Sequence, residues 1–274
     1  SLDYPPHMAA PTEPLHVEDS GTGDPVVLLH SSGMSGRQWK RLASALSSRG
    51  MRAVVPDLSG HGRSPEWPEP TPFSYLIDVE RMTRLLESLG TPAHLVGHSY
   101  GGLLSLLVSV RAPTLVRSLV LYDPVAFGVL DPVKDADAGR DLERVPPAWD
   151  GTADGRERWL EAFVNYWGEP GAWASLRDDV RAEFRRVGWV VYQEVSTLVK
   201  DPTPASAYRE IPAPVLLLSG QSSPIAAHRV ARRLADSFPH ARTVTVEHAG
   251  HMGPLTHADV VNRTILDALA PVVG

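Results

Sequence analysis

Apolar residues in this chain gather into short runs separated by helix-patterned stretches. Val26-Val27-Leu28-Leu29, Met51 to Val55, Ala93 to Val96, Leu115 to Tyr122 and Val215 to Leu218 read as strands, several of them continuously apolar. Such runs suit strands buried on both faces. Between them, Trp39, Leu42, Ala43 and Leu46 recur at helical spacing, and Ser74 is placed to cap a helix running through Leu89 and stopped by Gly90. Leu103 to Val110 is apolar and unbroken by proline. Leu15 to Asp19 suits an edge strand, followed by a Gly21-Thr22-Gly23-Asp24 turn. The alternation predicts an α/β fold with a mostly parallel central sheet covered by helices on both faces.

The alternation lapses between about Pro124 and Pro212, where helical stretches continue without a clear buried strand. This stretch holds five of the seven tryptophans: Trp149, Trp159, Trp167, Trp173 and Trp189. Regular order resumes at Val215, with a helix near His228 to Phe238, a strand at Thr243 to Val246 and a last helix from about Asp259 to Leu269. The expected organisation is a core of residues 8–123 and 213–274, with residues 124–212 inserted as a helical cap over the strand ends. Its aromatic side chains then form the cap's own core, a pocket wall, or both.

Composition narrows the chemistry. The 274 residues carry a net charge of −6, with 43% hydrophobic and 21% charged residues, an ordinary globular balance that points to no nucleic-acid partner. The absence of cysteine excludes disulfides, thiol catalysis and cysteine-ligated metals. No apolar run reaches the length of a membrane span, and no basic segment precedes an apolar one near the start. The expectation is a cytoplasmic protein with no membrane partner. Ser1 to His7 resemble a cloning remnant ahead of a natural start at Met8.

Gly97-His98-Ser99-Tyr100-Gly101 fits G-x-S-x-G, with a strand before it and a helix after it. That is the pattern of a nucleophile elbow, in which a sharp strand-to-helix turn lifts the serine hydroxyl out of the sheet at the positive end of a helix. Small flanking residues leave room for the strained turn. The alternative is a small residue in a tight turn. In parallel sheets, sites lie beyond the carboxyl ends of the strands, where this elbow falls.

Three further signals occur in order with the elbow: His30-Ser31-Ser32-Gly33 after one strand, Asp57-Leu58-Ser59-Gly60-His61-Gly62-Arg63-Ser64 after the next, and Gly250-His251 near the C-terminus. On these four the chain resembles the α/β-hydrolase-fold superfamily, in particular capped serine esterases, over nearly everything from Leu15 to Leu269. The resemblance implies Ser99 as nucleophile and His251 as its base. His251 is preferred to His248 because the family's histidine follows a small residue and a glycine. It implies an oxyanion hole from the backbone N–H groups of Tyr100 and Ser32. In most members the acid follows the strand that here is Val215 to Leu218. That loop reads Ser219-Gly220-Gln221-Ser222-Ser223-Pro224, with Ser223 at the expected position and no carboxylate. Some members carry the acid one strand earlier, and Asp123 is assigned on that ground. Two alternatives stand beside it: a turn aspartate before Pro124, and a dyad in which water or Ser223 orients His251.

His30 and His61 read as structural, and Arg63 as a solvated surface residue. His248 and His251 have ligand-like spacing, but no third ligand cluster accompanies them, so no metal is expected. No G-x-G-x-x-G follows the first core strand, and no cofactor is expected. A serine in the elbow argues against epoxide hydrolase or haloalkane dehalogenase chemistry, which needs a carboxylate there. The expected function is a cofactor-free serine hydrolase acting on a small to medium apolar carboxylic ester through an acyl-enzyme. Alternatives on the same fold are a carbon–carbon bond hydrolase, a lyase, or a non-catalytic ligand-binding member.

Overall fold

A computed structural model describes residues 13–145 and 149–270. Ser1 to His7 lie outside the described residues. The strands are β1 (Val17–Gly21), β2 (Pro25–Leu29), β3 (Arg52–Pro56), β4 (Ala93–His98), β5 (Val116–Tyr122), β6 (Val215–Gly220) and β7 (Arg242–Val246). They form one sheet in the order β1-β3-β2-β4-β5-β6-β7. Only β1 pairs antiparallel, along β3.

The register explains the continuous apolar runs. Leu28 pairs with Val96, Val96 with Val120 and Val120 with Leu216, so these residues share one face. Their strand neighbours Val27, Leu29, Leu95, Leu119, Leu121 and Leu217 line the other. Successive side chains point to opposite faces, so a strand with helices on both sides needs apolar residues at every position. The Leu28 face is covered by α1 (Lys40–Ser48) and, near the C-terminus, by α10 (Ala258–Leu269). The opposite face is covered by α2 (Tyr75–Ser88), α3 (Tyr100–Arg111) and α9 (Ile225–Ser237). The Ser74 hydroxyl accepts from the Leu76 N–H at 3.3 Å and caps α2 as its sequence position predicts. Helix α9 begins at Ile225, three residues before the predicted start, directly behind Pro224.

Among the described residues, five α-helices lie between β5 and β6: α4 (Ala136–Leu142), α5 (Ala153–Trp167), α6 (Ala172–Ser175), α7 (Asp178–Leu198) and α8 (Ala205–Tyr208). They do not form a single separate layer. Ala138 of α4 and Tyr208 of α8 join the main core, and α4 is tied to α9 by Asp137–Arg229 and Asp135–Arg233 pairs. Helices α5 to α7 build a second core from Trp159, Phe163, Trp173, Phe184 and Val191, against Trp67, Phe73 and Ile77. Of the five tryptophans, Trp159 and Trp173 are buried in that core, while Trp167 reaches across to the C-terminal ends of the strands.

Candidate active site

Three strand ends carry non-glycine residues with positive φ: Ser99 after β4 (54°), Asp123 after β5 (42°) and His248 after β7 (60°). They are the only such residues among those described. A conformation of this kind costs about 1–3 kcal/mol per residue and persists only where the surroundings enforce it. Ser99 is enforced by packing. A Cβ on Gly101 would fall 2.3 Å from the Leu29 carbonyl oxygen, and one on Gly97 would fall 2.4 Å from that of Gly101. Strand β4 therefore turns into α3 with no space for larger neighbours. The Ser99 N–H donates to the Tyr122 carbonyl at 2.9 Å, which fastens the elbow to β5.

His251 follows β7 and is buried. Its Nδ1 lies 3.3 Å from Asp123 Oδ2, and the Ser223 hydroxyl donates to the same oxygen at 2.5 Å. Asp123 itself is fully buried, with its N–H donating to the Leu218 carbonyl at 2.9 Å. The loop bearing His251 is held from below. Tyr122 Oη donates to the Gly250 carbonyl at 2.7 Å, and His98 Nε2 donates to the His251 carbonyl at 2.8 Å. With its proton on Nε2, His98 accepts from Gln38 Nε2 through Nδ1 at 3.0 Å. Burial pushes His98 well below the usual histidine range, so it serves as a neutral bracket. The Trp167 ring lies over the imidazole of His251, with centroids 4.2 Å apart and planes inclined by 36°.

Ser99 and His251 border the same cavity without a direct hydrogen bond between them. Two cavities meet at Ser99. Both are bordered by Ser32, Ser99, Phe163 and Trp167. One, of about 700 Å³, extends between Val125, Phe127, Leu142, Val195 and Leu198. The other, of about 560 Å³, holds His251 and opens past Glu169, Thr256 and His257.

Ser32 lies in the loop after β2. Its N–H finds no acceptor among the described residues, and the Tyr100 N–H belongs to the first turn of α3, where a helix offers no internal partner. Two neutral histidines stitch this loop to the one after β3. His30 Nε2 accepts from the Leu58 N–H at 2.9 Å while Nδ1–H donates to the Ser31 carbonyl at 2.8 Å. His61 Nε2 accepts from the Gly33 N–H at 3.1 Å while Nδ1–H donates to the Ser59 carbonyl at 2.9 Å. Burial lowers His30 to about 4 and His61 to about 3. Asp57 closes the same loop by accepting from the Gly36 and Arg63 N–H groups at 2.7 and 2.8 Å. The Tyr100 side chain turns away from the cavities and donates to Asp78 Oδ2 at 3.0 Å.

Ser99, His251, Asp123, Ser32 and Tyr100 thus meet at one edge of the sheet. Arg63 pairs with Glu18 at the surface, and His248 is exposed. Among the described residues, no group of three or more His, Asp or Glu side chains is arranged to hold a metal ion, and no helix is long and apolar enough to cross a membrane. Sequence reasoning offered Ser223 only as a possible partner of His251, whereas its hydroxyl donates to Asp123. It left open which cap tryptophan faces the site, and it missed Gln38. Nothing local marks Trp167 or Gln38, because their partners are remote in the chain.

The layered sheet, the elbow and the loops around it define an α/β protein with its site at the strand ends. A family model described as the alpha/beta hydrolase family matches residues 26–264, and the chain belongs to that family. A pimeloyl-[acyl-carrier protein] methyl ester esterase of Chromobacterium violaceum is 31% identical, covering 93% of this chain and 98% of that protein. A 2-hydroxymuconate semialdehyde hydrolase of Pseudomonas putida is 28% identical, covering 93% and 90%. Among solved structures, a bromoperoxidase from Bacillus anthracis aligns with a TM-score of 0.75 at 21% identity, over 93% of this chain and 95% of that one, and shares the fold.

Proposed function

We propose that this chain is a serine hydrolase of carboxylic esters that works through an acyl-enzyme on Ser99. His251 takes the Ser99 proton as the hydroxyl attacks the carbonyl. The N–H groups of Tyr100 and Ser32 receive the developing oxyanion. Asp123 keeps the His251 proton on Nδ1 and stabilises the imidazolium that forms. His251 then protonates the departing alcohol and activates water to release the acid.

The observation that carries this reading is the Nδ1 contact with Asp123 at 3.3 Å, behind an imidazole that shares a cavity with Ser99. It favours Asp123 over a dyad oriented by Ser223, because the Ser223 hydroxyl donates to Asp123 and not to His251.

The two cavities divide the substrate. The leaving oxygen must sit beside the group that protonates it, so the alcohol belongs in the cavity that holds His251. The acyl chain then enters the apolar cavity beside Val125, Phe127 and Leu198. We read residues 124–212 as a cap that encloses the acyl chain, with Phe163 and Trp167 as the partition. A relative named for hydrolysis of an acyl methyl ester supports an ester substrate.

The test pairs p-nitrophenyl acetate and butyrate hydrolysis with fluorophosphonate labelling. Wild-type protein is expected to turn over both esters and to be labelled, and Ser99→Ala to do neither. Labelling that survives in Ser99→Ala would exclude Ser99 as the nucleophile. A folded wild type that is neither active nor labelled would leave ligand binding as the better reading.

A further inference from the structure

Helix α7 carries a fully buried carboxyl that the proposed reaction does not use. Glu194 is 0% exposed. The Ser32 side chain lies against its carboxyl, and His61 Nδ1 is 3.6 Å from Oε1. Neither oxygen has a hydrogen-bond partner within normal distance among the described residues, so the carboxyl meets Ser32 and His61 by packing alone. Burial, with Asp78 nearby, pushes Glu194 well above the usual carboxylate range. Burial lowers His61 to about 3, and its Nδ1 proton is engaged by the Ser59 carbonyl. Burial thus disfavours the charged form of both groups and works against a buried ion pair between them.

The location gives the contact a consequence. Ser32 borders both cavities beside Ser99, and the next residue, Gly33, donates its N–H to His61. The same helix closes on Gly33 directly. Gly33 has φ +75°, and a Cβ there would fall 2.4 Å from the Phe184 ring. Farther along α7, Gln193 accepts from the Phe73 N–H at 3.2 Å and Thr197 Oγ1 from the Tyr75 N–H at 3.4 Å. One face of α7 is thus anchored to the core on both sides of Glu194.

We propose that Glu194 is a positioning residue, which holds Ser32 from behind so that its backbone N–H is fixed beside Ser99 for the oxyanion. The inserted helix and the oxyanion loop then act as one unit, and a residue that never touches substrate sets the turnover rate. This rests on the esterase reading of Ser99.

The experiment compares wild type, Glu194→Leu and Glu194→Gln in p-nitrophenyl butyrate hydrolysis and in binding of a butyl boronic acid, which forms a tetrahedral adduct on an active serine. Glu194→Leu is expected to lower kcat by about 10- to 100-fold with KM within about threefold, and to weaken the boronic acid by the same factor as kcat. Glu194→Gln keeps a neutral polar group and is expected to recover kcat to within about threefold of wild type. If Glu194→Leu does not fold, Ser32→Ala serves in its place. It removes the hydroxyl contact, keeps the N–H, and is expected to lower kcat and boronic acid affinity together. A folded Glu194→Leu with a lower Tm but unchanged kcat and boronic acid affinity overturns the proposal, as does an unchanged Ser32→Ala. A wild type that binds no boronic acid and hydrolyses no ester overturns the esterase reading and this proposal with it.

Discussion

Replacing Asp123 by asparagine removes one charge from a site where its worth follows from the geometry. Asp123 is fully buried and His251 is nearly so, with 3.3 Å between Oδ2 and Nδ1. At charge separations of about 4 Å and an effective dielectric of about 20, an imidazolium and a carboxylate attract by about 4 kcal/mol. That attraction exists only while His251 holds the Ser99 proton, so its loss raises the barrier and not the binding energy. It corresponds to about a 10³-fold fall in kcat with little change in KM. The Ser223 hydroxyl donates to Oδ2, which favours the amide oxygen of the variant in that place and retains the His251 tautomer. If the amide turns its NH₂ toward Nδ1, the wrong tautomer is enforced and the loss approaches about 10⁴-fold. Ser223→Ala keeps the charge and loses one hydrogen bond, so its effect is expected to stay within about tenfold. The assay is steady-state hydrolysis of p-nitrophenyl butyrate, with fluorophosphonate labelling rates as a check. A loss under tenfold in Asp123→Asn, or a larger loss in Ser223→Ala, would refute the assignment of Asp123 as the acid.

Stability should fall as the medium becomes acidic through the histidine range. His30 and His61 hold folded values of about 4 and about 3, below the ordinary 6.5, so the unfolded chain binds more protons between those limits. Stability is therefore full above about pH 6.5 and declines toward pH 4, by about 2 kcal/mol for each histidine between pH 7 and pH 5. Urea denaturation at the two pH values measures it, and equal midpoints would show that these imidazoles are not buried neutral. The cavity assignment predicts a change in chain-length preference. Leu142→Trp, which fills the apolar cavity, is expected to lower kcat/KM for p-nitrophenyl octanoate at least about tenfold relative to the acetate. An unchanged ratio would move the acyl chain to the other cavity.

The sheet was legible because burial on both faces demands apolar residues at consecutive positions, and few other structures make that demand. The elbow was legible for a related reason. Its glycines answer to close approaches within the turn and to the neighbouring β2 strand, and such constraints leave a fixed local spacing. The inserted helices were legible only as helices. Nothing in the spacing of Trp159, Trp167 and Trp173 separates a side chain packed in the α5–α7 core from one laid over His251, because both need a large apolar surface. Helix α4 shows the same limit. Asp135 and Asp137 are ordinary surface charges in sequence, and only the folded chain reveals that they pair with Arg233 and Arg229 and help tie the insertion to the core. Glu194 is the extreme case. A glutamate in a helix reads as solvated, and its complete burial depends on where α7 crosses the loops after β2 and β3.

The proposed acid, Asp123 at the end of β5, has a physical logic in the strand order. Strands β5, β6 and β7 are neighbours, so a side chain at the end of β5 must reach past the end of β6 to meet a histidine that follows β7. That path stays open only if the end of β6 is small. A Cβ on Gly220 would fall 2.4 Å from the Gly250 carbonyl oxygen, so the His251 loop lies directly on β6. The remaining space takes the Ser223 hydroxyl, 2.5 Å from Asp123 Oδ2. A carboxylate at position 223 would face the buried carboxylate of Asp123 at that distance, and two like charges so close cannot both ionise. The serine at the usual acid position is therefore compatible with a triad. It supplies the donor that a fully buried carboxylate requires, and it leaves the negative charge behind His251 to Asp123.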